Sequence, residues 1–118
     1  MQLNYVASKM GIELLNPSLK DWEKRDVTWG YSSDLLSFVI AEARSGYLWI
    51  TKQVHINIVA VASLNDLSGI VVSGKKPDAE VLEKATGENI PIFYSHDSVF
   101  ETAGKLYRLM TENAGQKQ

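Results

Sequence analysis

Hydrophobic positions along the chain fall into short blocks whose period changes from one block to the next. Leu3, Val6, Ala7 and Met10 recur at helical spacing, and Gly11 follows where a left-handed C-terminal cap is wanted. "IELLN" reads as a brief strand. Residues 16–26 are polar and contain the first proline, which predicts a connecting loop with Trp22 packed as a lid on the core. "VTWGY" is strand-like. Residues 33–45 then place Leu35/Val39 and Leu36/Ile40/Ala43 on one helical face, with Gly46 as the stop. "YLWIT" is a continuous apolar run, as in strands buried on both faces.

Residues 53–66 fit two periods, since Val54, Ile56 and Ile58 alternate like a strand while Ile58, Val61 and Ala62 suit a helix. Their neighbours decide. Strands at 47–51 and at "GIVVS", 69–73, need a crossover between them if they are parallel, and a dozen residues accommodate a helix. After "GKKP" comes a helix with Val81, Leu82 and Ala85, stopped by Gly87, and then "IPIFY" as a strand. The last helix opens with Ser98-Val99-Phe100-Glu101, a capping box, and carries Val99, Ala103, Leu106 and Met110 as its buried stripe. The end, "TENAGQKQ", is expected to fray.

Strand and helix alternate from Val27 onward, which predicts an α/β fold: a single domain with a mostly parallel sheet covered by helices on both faces. Its expected extent is 1–112, with a short N-terminal helix and loop over 1–26, the alternating core over 27–112 and a frayed tail over 113–118. The 118 residues suffice to bury a core, and 45% hydrophobic with 22% charged residues is globular composition. A net charge of -2 with scattered basic residues gives no footprint for nucleic acid, so none is expected as a partner. The absence of cysteine excludes disulfides and thiolate metal sites. With no leader-like N-terminus and no apolar run of membrane-spanning length, a cytoplasmic protein without a membrane partner is expected.

In an open parallel sheet, ligands settle beyond the carboxyl ends of the strands. Four polar segments would end there: Tyr31-Ser32-Ser33-Asp34, Thr51-Lys52-Gln53, Ser73-Gly74-Lys75-Lys76 and Ser95-His96-Asp97-Ser98. Ser32, Ser33, Asp34, Thr51, Gln53, Ser73, Gly74 and Lys75 are the candidate binders of a small polar or phosphorylated ligand. The plainer reading is that Ser32 or Ser33 caps a helix while Asp34 faces its dipole. "GIVVSGKK" approaches a phosphate loop but fails twice: Lys76 has no hydroxyl for magnesium, and Ile70-Val71-Val72 is the strand itself. His55 and His96 lack a second nitrogen ligand at metal spacing, and no serine has a convincing base, so neither a metal, a cofactor nor a catalytic residue is assigned. Trp49 is a core or interface candidate, and Trp29, beside Gly30, a partly exposed anchor for a protein partner.

The order Gly30-Tyr31, Ser33-Asp34-Leu35-Leu36-Ser37, "LWIT", "NIVAVASL", "GIVVSGKKPD", "IPIF" resembles that of a stand-alone DRTGG-domain protein and, more distantly, the N-terminal domain of HPr kinase/phosphorylase. Asp26-Val27-Thr28-Trp29-Gly30 departs at two positions from the string that names the family. The resemblance implies a regulatory or ligand-sensing α/β domain and supports the helical reading of 54–64. It implies no kinase activity, because the nucleotide loop of the HPr kinase belongs to its other domain. Small relatives of this kind also resemble accessory proteins encoded near iron-only hydrogenase components. The expected function is therefore a non-catalytic, homodimeric regulatory or partner-binding module. The alternatives are a phosphotransfer enzyme of serine-kinase type and a structural adaptor for a redox or hydrogenase-associated complex.

Overall fold

The runs that are apolar at every position become the inner strands. In the computed structural model, which describes residues 1–116 and side chains as far as Glu112, β4 (Gly69–Ser73) is buried along its whole length and β3 (Tyr47–Thr51) at all but its first residue. They are flanked by β2 (Trp29–Ser32) and β5 (Ile92–Ser95), and these four strands are parallel. The two-residue β1 (Glu13–Leu14) pairs antiparallel with β5, giving the order β1-β5-β4-β3-β2.

Because the parallel strands follow one another in chain order, right-handed crossovers carry every connecting helix to the same face. Helices α2 (Leu36–Glu42), α3 (Asn57–Leu64) and α4 (Ala79–Gly87) accordingly pack Val39, Ile58 and Val81 against Trp49, Ile70, Val72 and Ile92. The alternate strand residues, Leu48, Ile50, Val71 and Phe93, meet α1 (Leu3–Met10) and α5 (Val99–Gln116) on the other face. The fold is thus α/β with helices on both faces, and residues 53–66 contain the crossover helix. Gly11 takes the left-handed cap of α1 at φ 68°, and Trp22 lies edge-on over Phe93.

Three boundaries differ from expectation. Helix α2 covers Leu36–Glu42 rather than 33–45, and Gly46, at φ 85°, turns the chain into β3 instead of ending the helix. Lying over the sheet edge, α2 buries only Val39, with Ala43 just past its end, and leaves Leu35 and Ile40 exposed. The Asn65 amide closes its last turn by donating to the carbonyls of Val39, Ile40 and Ala43. Gly87 belongs to the last turn of α4, and the left-handed residue beyond it is Asn89. On α5 the capping box forms: Ser98 Oγ accepts from the Glu101 N–H at 3.1 Å, and Glu101 Oε1 accepts from the Ser98 N–H at 3.3 Å. Of its stripe, Leu106 is buried while Val99, Ala103 and Met110 are half-buried. Lys117 and Gln118, from the tail expected to fray, lie outside the described residues.

Gly30 lies where α5 packs on β2, and any larger residue would force Leu106 to shift. A Cβ there would stand 2.5 Å from Leu106 Cδ2, so the missing side chain lets α5 settle onto β2. No helix of the described residues is long and apolar enough to cross a membrane.

Candidate functional site

Four parallel neighbours must emerge at the same end, so Ser32–Asp34, Thr51–Gln53, Ser73–Lys75 and Ser95–Ser98 form one continuous rim. All eight candidate residues lie on it. Asp34, Thr51 and Gln53, however, are engaged with one another, and Ser33 and Ser73 with neighbouring residues. Asp34 Oδ1 accepts from the buried Thr51 hydroxyl at 2.7 Å and from the Lys52 N–H at 2.8 Å. Gln53 returns the brace, its side-chain amide donating to the Asp34 carbonyl at 3.1 Å and its N–H to Thr51 Oγ1 at 3.1 Å. Asp34 therefore ties the tip of β2 to that of β3, and it makes no capping hydrogen bond to α2. Nor does Ser33 cap α2: its Oγ accepts from the Leu35 N–H in a local serine turn, and its carbonyl takes the indole N–H of Trp49.

The other half of the rim is braced independently. The buried Ser73 hydroxyl donates to the Asp97 carbonyl, and Tyr94 OH donates to that of Gly74 at 3.1 Å. Ser95 Oγ bonds Thr102 Oγ1 at 2.7 Å, and the Asp97 carboxylate pairs with Lys105 at 2.5 Å. Residues 69–73 are strand and Gly74, at φ 96°, is a single turn, so no backbone loop wraps a phosphate at "GIVVSGKK". Ser32, Gly74 and Lys75 are exposed.

Two clefts open onto the rim. One, of roughly 540 Å³, lies between the β4 and β5 tips and the start of α5, and Lys52, Gly74, Tyr94, His96 and Phe100 are among its walls. The second, of roughly 490 Å³, is bordered by Lys52, Gln53, His55, Asp78 and Glu80. Lys52 borders both, and its ammonium has no ion-pair or hydrogen-bond partner among the described residues. Of the eight candidates, Ser73, Gly74 and Gln53 border the clefts, and they share those walls with Lys52, His96 and Phe100, which are not among the eight although Lys52 and His96 lie in the same polar strand-tip segments. Phe100 did carry a signal: it is an aromatic lying out of phase with the α5 stripe.

Other features lie away from this centre. An apolar recess of about 160 Å³ sits between β2 and α5, with Trp29 edge-on to Tyr107 beside it. At the opposite end of the strands Arg25 donates to the carbonyls of Leu67, Ser68 and Asn89, and burial lowers its pKa while Asp66 partly offsets the effect. The hydrogen bond from Tyr31 OH to Glu42, with lesser help from burial and charge, raises the Tyr31 pKa. No cluster of three or more histidine, aspartate or glutamate side chains suited to a metal occurs among the described residues.

No protein-family model matches the sequence, and no curated protein does. Among solved structures, the chain is similar to the CBS and DRTGG domains of the regulatory region of Clostridium perfringens pyrophosphatase, in complex with its activator diadenosine tetraphosphate. The TM-score is 0.65 at 16% identity, over 89% of this chain and 45% of that one. The fold is DRTGG-like. At that identity the likeness is one of fold, and the DRTGG-like chain matches just under half the length of the pyrophosphatase fragment.

Proposed function

We propose that this DRTGG-like domain is a non-catalytic regulatory module that senses a small polar or phosphorylated ligand at the rim formed by Ser32, Ser33, Asp34, Thr51, Gln53, Ser73, Gly74 and Lys75. The observation that carries the reading is the convergence of four strand tips, cross-braced by Asp34 and Ser73, on two open clefts sharing an unpaired lysine. A braced rim is preorganised, so binding loses little to ordering loops. The fold it shares with a pyrophosphatase regulatory region that carries a nucleotide activator supports a sensing role. Kinship with the N-terminal domain of HPr kinase/phosphorylase, a domain extent of 1–112, a cytoplasmic setting and a homodimeric state belong to the same reading.

Ligand binding would act by shifting oligomer or partner affinity, which requires that the ligand bind two states unequally. A thermal-shift screen against phosphorylated metabolites, nucleotides and polar acids tests the reading, since a ligand of the native state raises apparent stability by mass action. The hit should be lost in Ser33→Ala/Asp34→Ala well beyond that variant's loss of stability. Hits that bind the double variant unchanged would contradict the reading. Transfer of label from ATP to protein would replace it with phosphotransfer. A second reading, an adaptor recognising a protein partner, is favoured by Trp29 and Tyr107 standing 38% and 62% exposed beside an apolar recess. Its mark is a co-purifying partner lost on Trp29→Ala while rim variants behave normally.

A further inference from the structure

The cleft between β4, β5 and the start of α5 combines an aromatic wall with a lone cation. Phe100, in the first turn of α5, is 87% exposed and borders a cleft whose other walls are largely polar. Lys52 reaches over the β4 tip, where a Cβ on Gly74 would lie 3.3 Å from Lys52 Cε. The turn at Gly74 thus keeps the room that the lysine stem uses.

Charge decides which end of a ligand goes where. Asp97 is neutralised by Lys105, and Glu13 lies between Lys76 and His96 at 3.6 and 4.0 Å. Glu101 is occupied in the capping box, which holds a carboxylate at the start of α5 and disfavours a second anion there. The uncompensated positive charge in the cleft is Lys52, at its β4 end. An anionic group belongs beside that ammonium, and the exposed Phe100 ring borders the same cleft. Tyr94, also in the cleft wall, is fixed by its bond to the Gly74 carbonyl and meets the His96 ring edge-on at 4.9 Å.

We propose that this cleft binds a nucleoside phosphate, with its phosphate on the Lys52 ammonium above Gly74 and its base stacked on Phe100. The inference rests on the ligand-sensing reading and names the ligand class. A volume near 540 Å³ lies within the range of small-molecule sites, roughly 300–1,000 Å³. Aromatic stacking tolerates any base, so the phosphate and the presence of a ring, rather than base identity, dominate recognition.

ADP, adenosine and pyrophosphate are titrated into the full chain by calorimetry and by amide NMR. ADP should bind and perturb the amides of Lys52, Gly74, His96 and Phe100, with adenosine and pyrophosphate each at least about tenfold weaker. Lys52→Gln and Phe100→Ala change exposed side chains, so each should fold normally yet weaken ADP at least about fivefold. No ADP binding at about 1 mM, or binding indifferent to both substitutions, overturns the inference. If a ligand lacking a ring binds the rim and ADP does not, the inference fails while the sensing reading stands. Perturbations confined to the Arg25 end of the sheet would remove both.

Discussion

Replacing Asp34 by alanine tests whether the rim is a braced unit or a set of separate turns. The change removes the acceptor of two short hydrogen bonds, from Thr51 Oγ1 and Lys52 N, and leaves the proton of a fully buried hydroxyl without a partner. Bonds to a charged group contribute about 1.5–3 kcal/mol when shielded; since the Asp34 side chain is exposed, one bond at the low end is the fair allowance. The orphaned Thr51 proton adds about 1 kcal/mol, bringing the loss to about 2–3 kcal/mol. That corresponds to a fall in Tm of roughly 10 °C for a domain of this size. Asp34→Asn, which keeps an oxygen in place, should lose about 1 kcal/mol, and Ser33→Ala no more than that. Urea unfolding followed by tryptophan fluorescence gives the three values, and a cycle with Thr51→Val isolates the pair. If Asp34→Ala costs no more than Ser33→Ala, or if the cycle shows no coupling, the tips are not braced as described.

Arg25→Ala should lose about 3 kcal/mol in the same assay, because three carbonyls lose a charged donor, and Arg25→Lys should restore less than half, since a single ammonium cannot fan to three acceptors; a loss under about 1 kcal/mol would count against the clamp. Gly30→Ala should cost about 1–3 kcal/mol by overpacking against Leu106, and much less in a Leu106→Ala background. Equal costs in both backgrounds would rule out that contact. The raised Tyr31 pKa means the folded state favours the neutral phenol, so its contribution is intact below pH about 10 and disappears as pH climbs through the folded value. The stability difference between wild type and Tyr31→Phe should therefore shrink above pH about 10, and a constant difference would exclude the link to Glu42.

What the chain states locally was legible. Gly11 and the Ser98–Glu101 box act within a few residues of themselves, and both caps form where the sequence places them. The unbroken apolar runs at 47–51 and 69–73 read as inner strands, and, once these are parallel, the crossover over 53–66 has the length for the helix that forms there. Bonds between distant segments were not legible. Ser33 and Asp34 have the composition of a helix start, yet the tip of β3, seventeen residues beyond Asp34, outcompetes α2 for the carboxylate, and the helix begins later. Asn65 and Arg25 are likewise ordinary polar residues in sequence, and only folding brings each to three carbonyls. The candidate rim was found by residue type, which favours hydroxyls and carboxylates. Several of those groups, Asp34, Thr51 and Ser73 among them, act as its braces, while Lys52 and Phe100 border the cleft beside Ser73 and Gly74.

The most direct measurement is an amide NMR map of the chain with the best hit of the thermal-shift screen. The account predicts that perturbed residues fall within 32–34, 51–53, 73–75 and 95–100, on neighbouring strands at one end of the sheet. A ligand whose perturbations cluster instead at Arg25, Ser45 and Ser68, at the other ends of those strands, would contradict it.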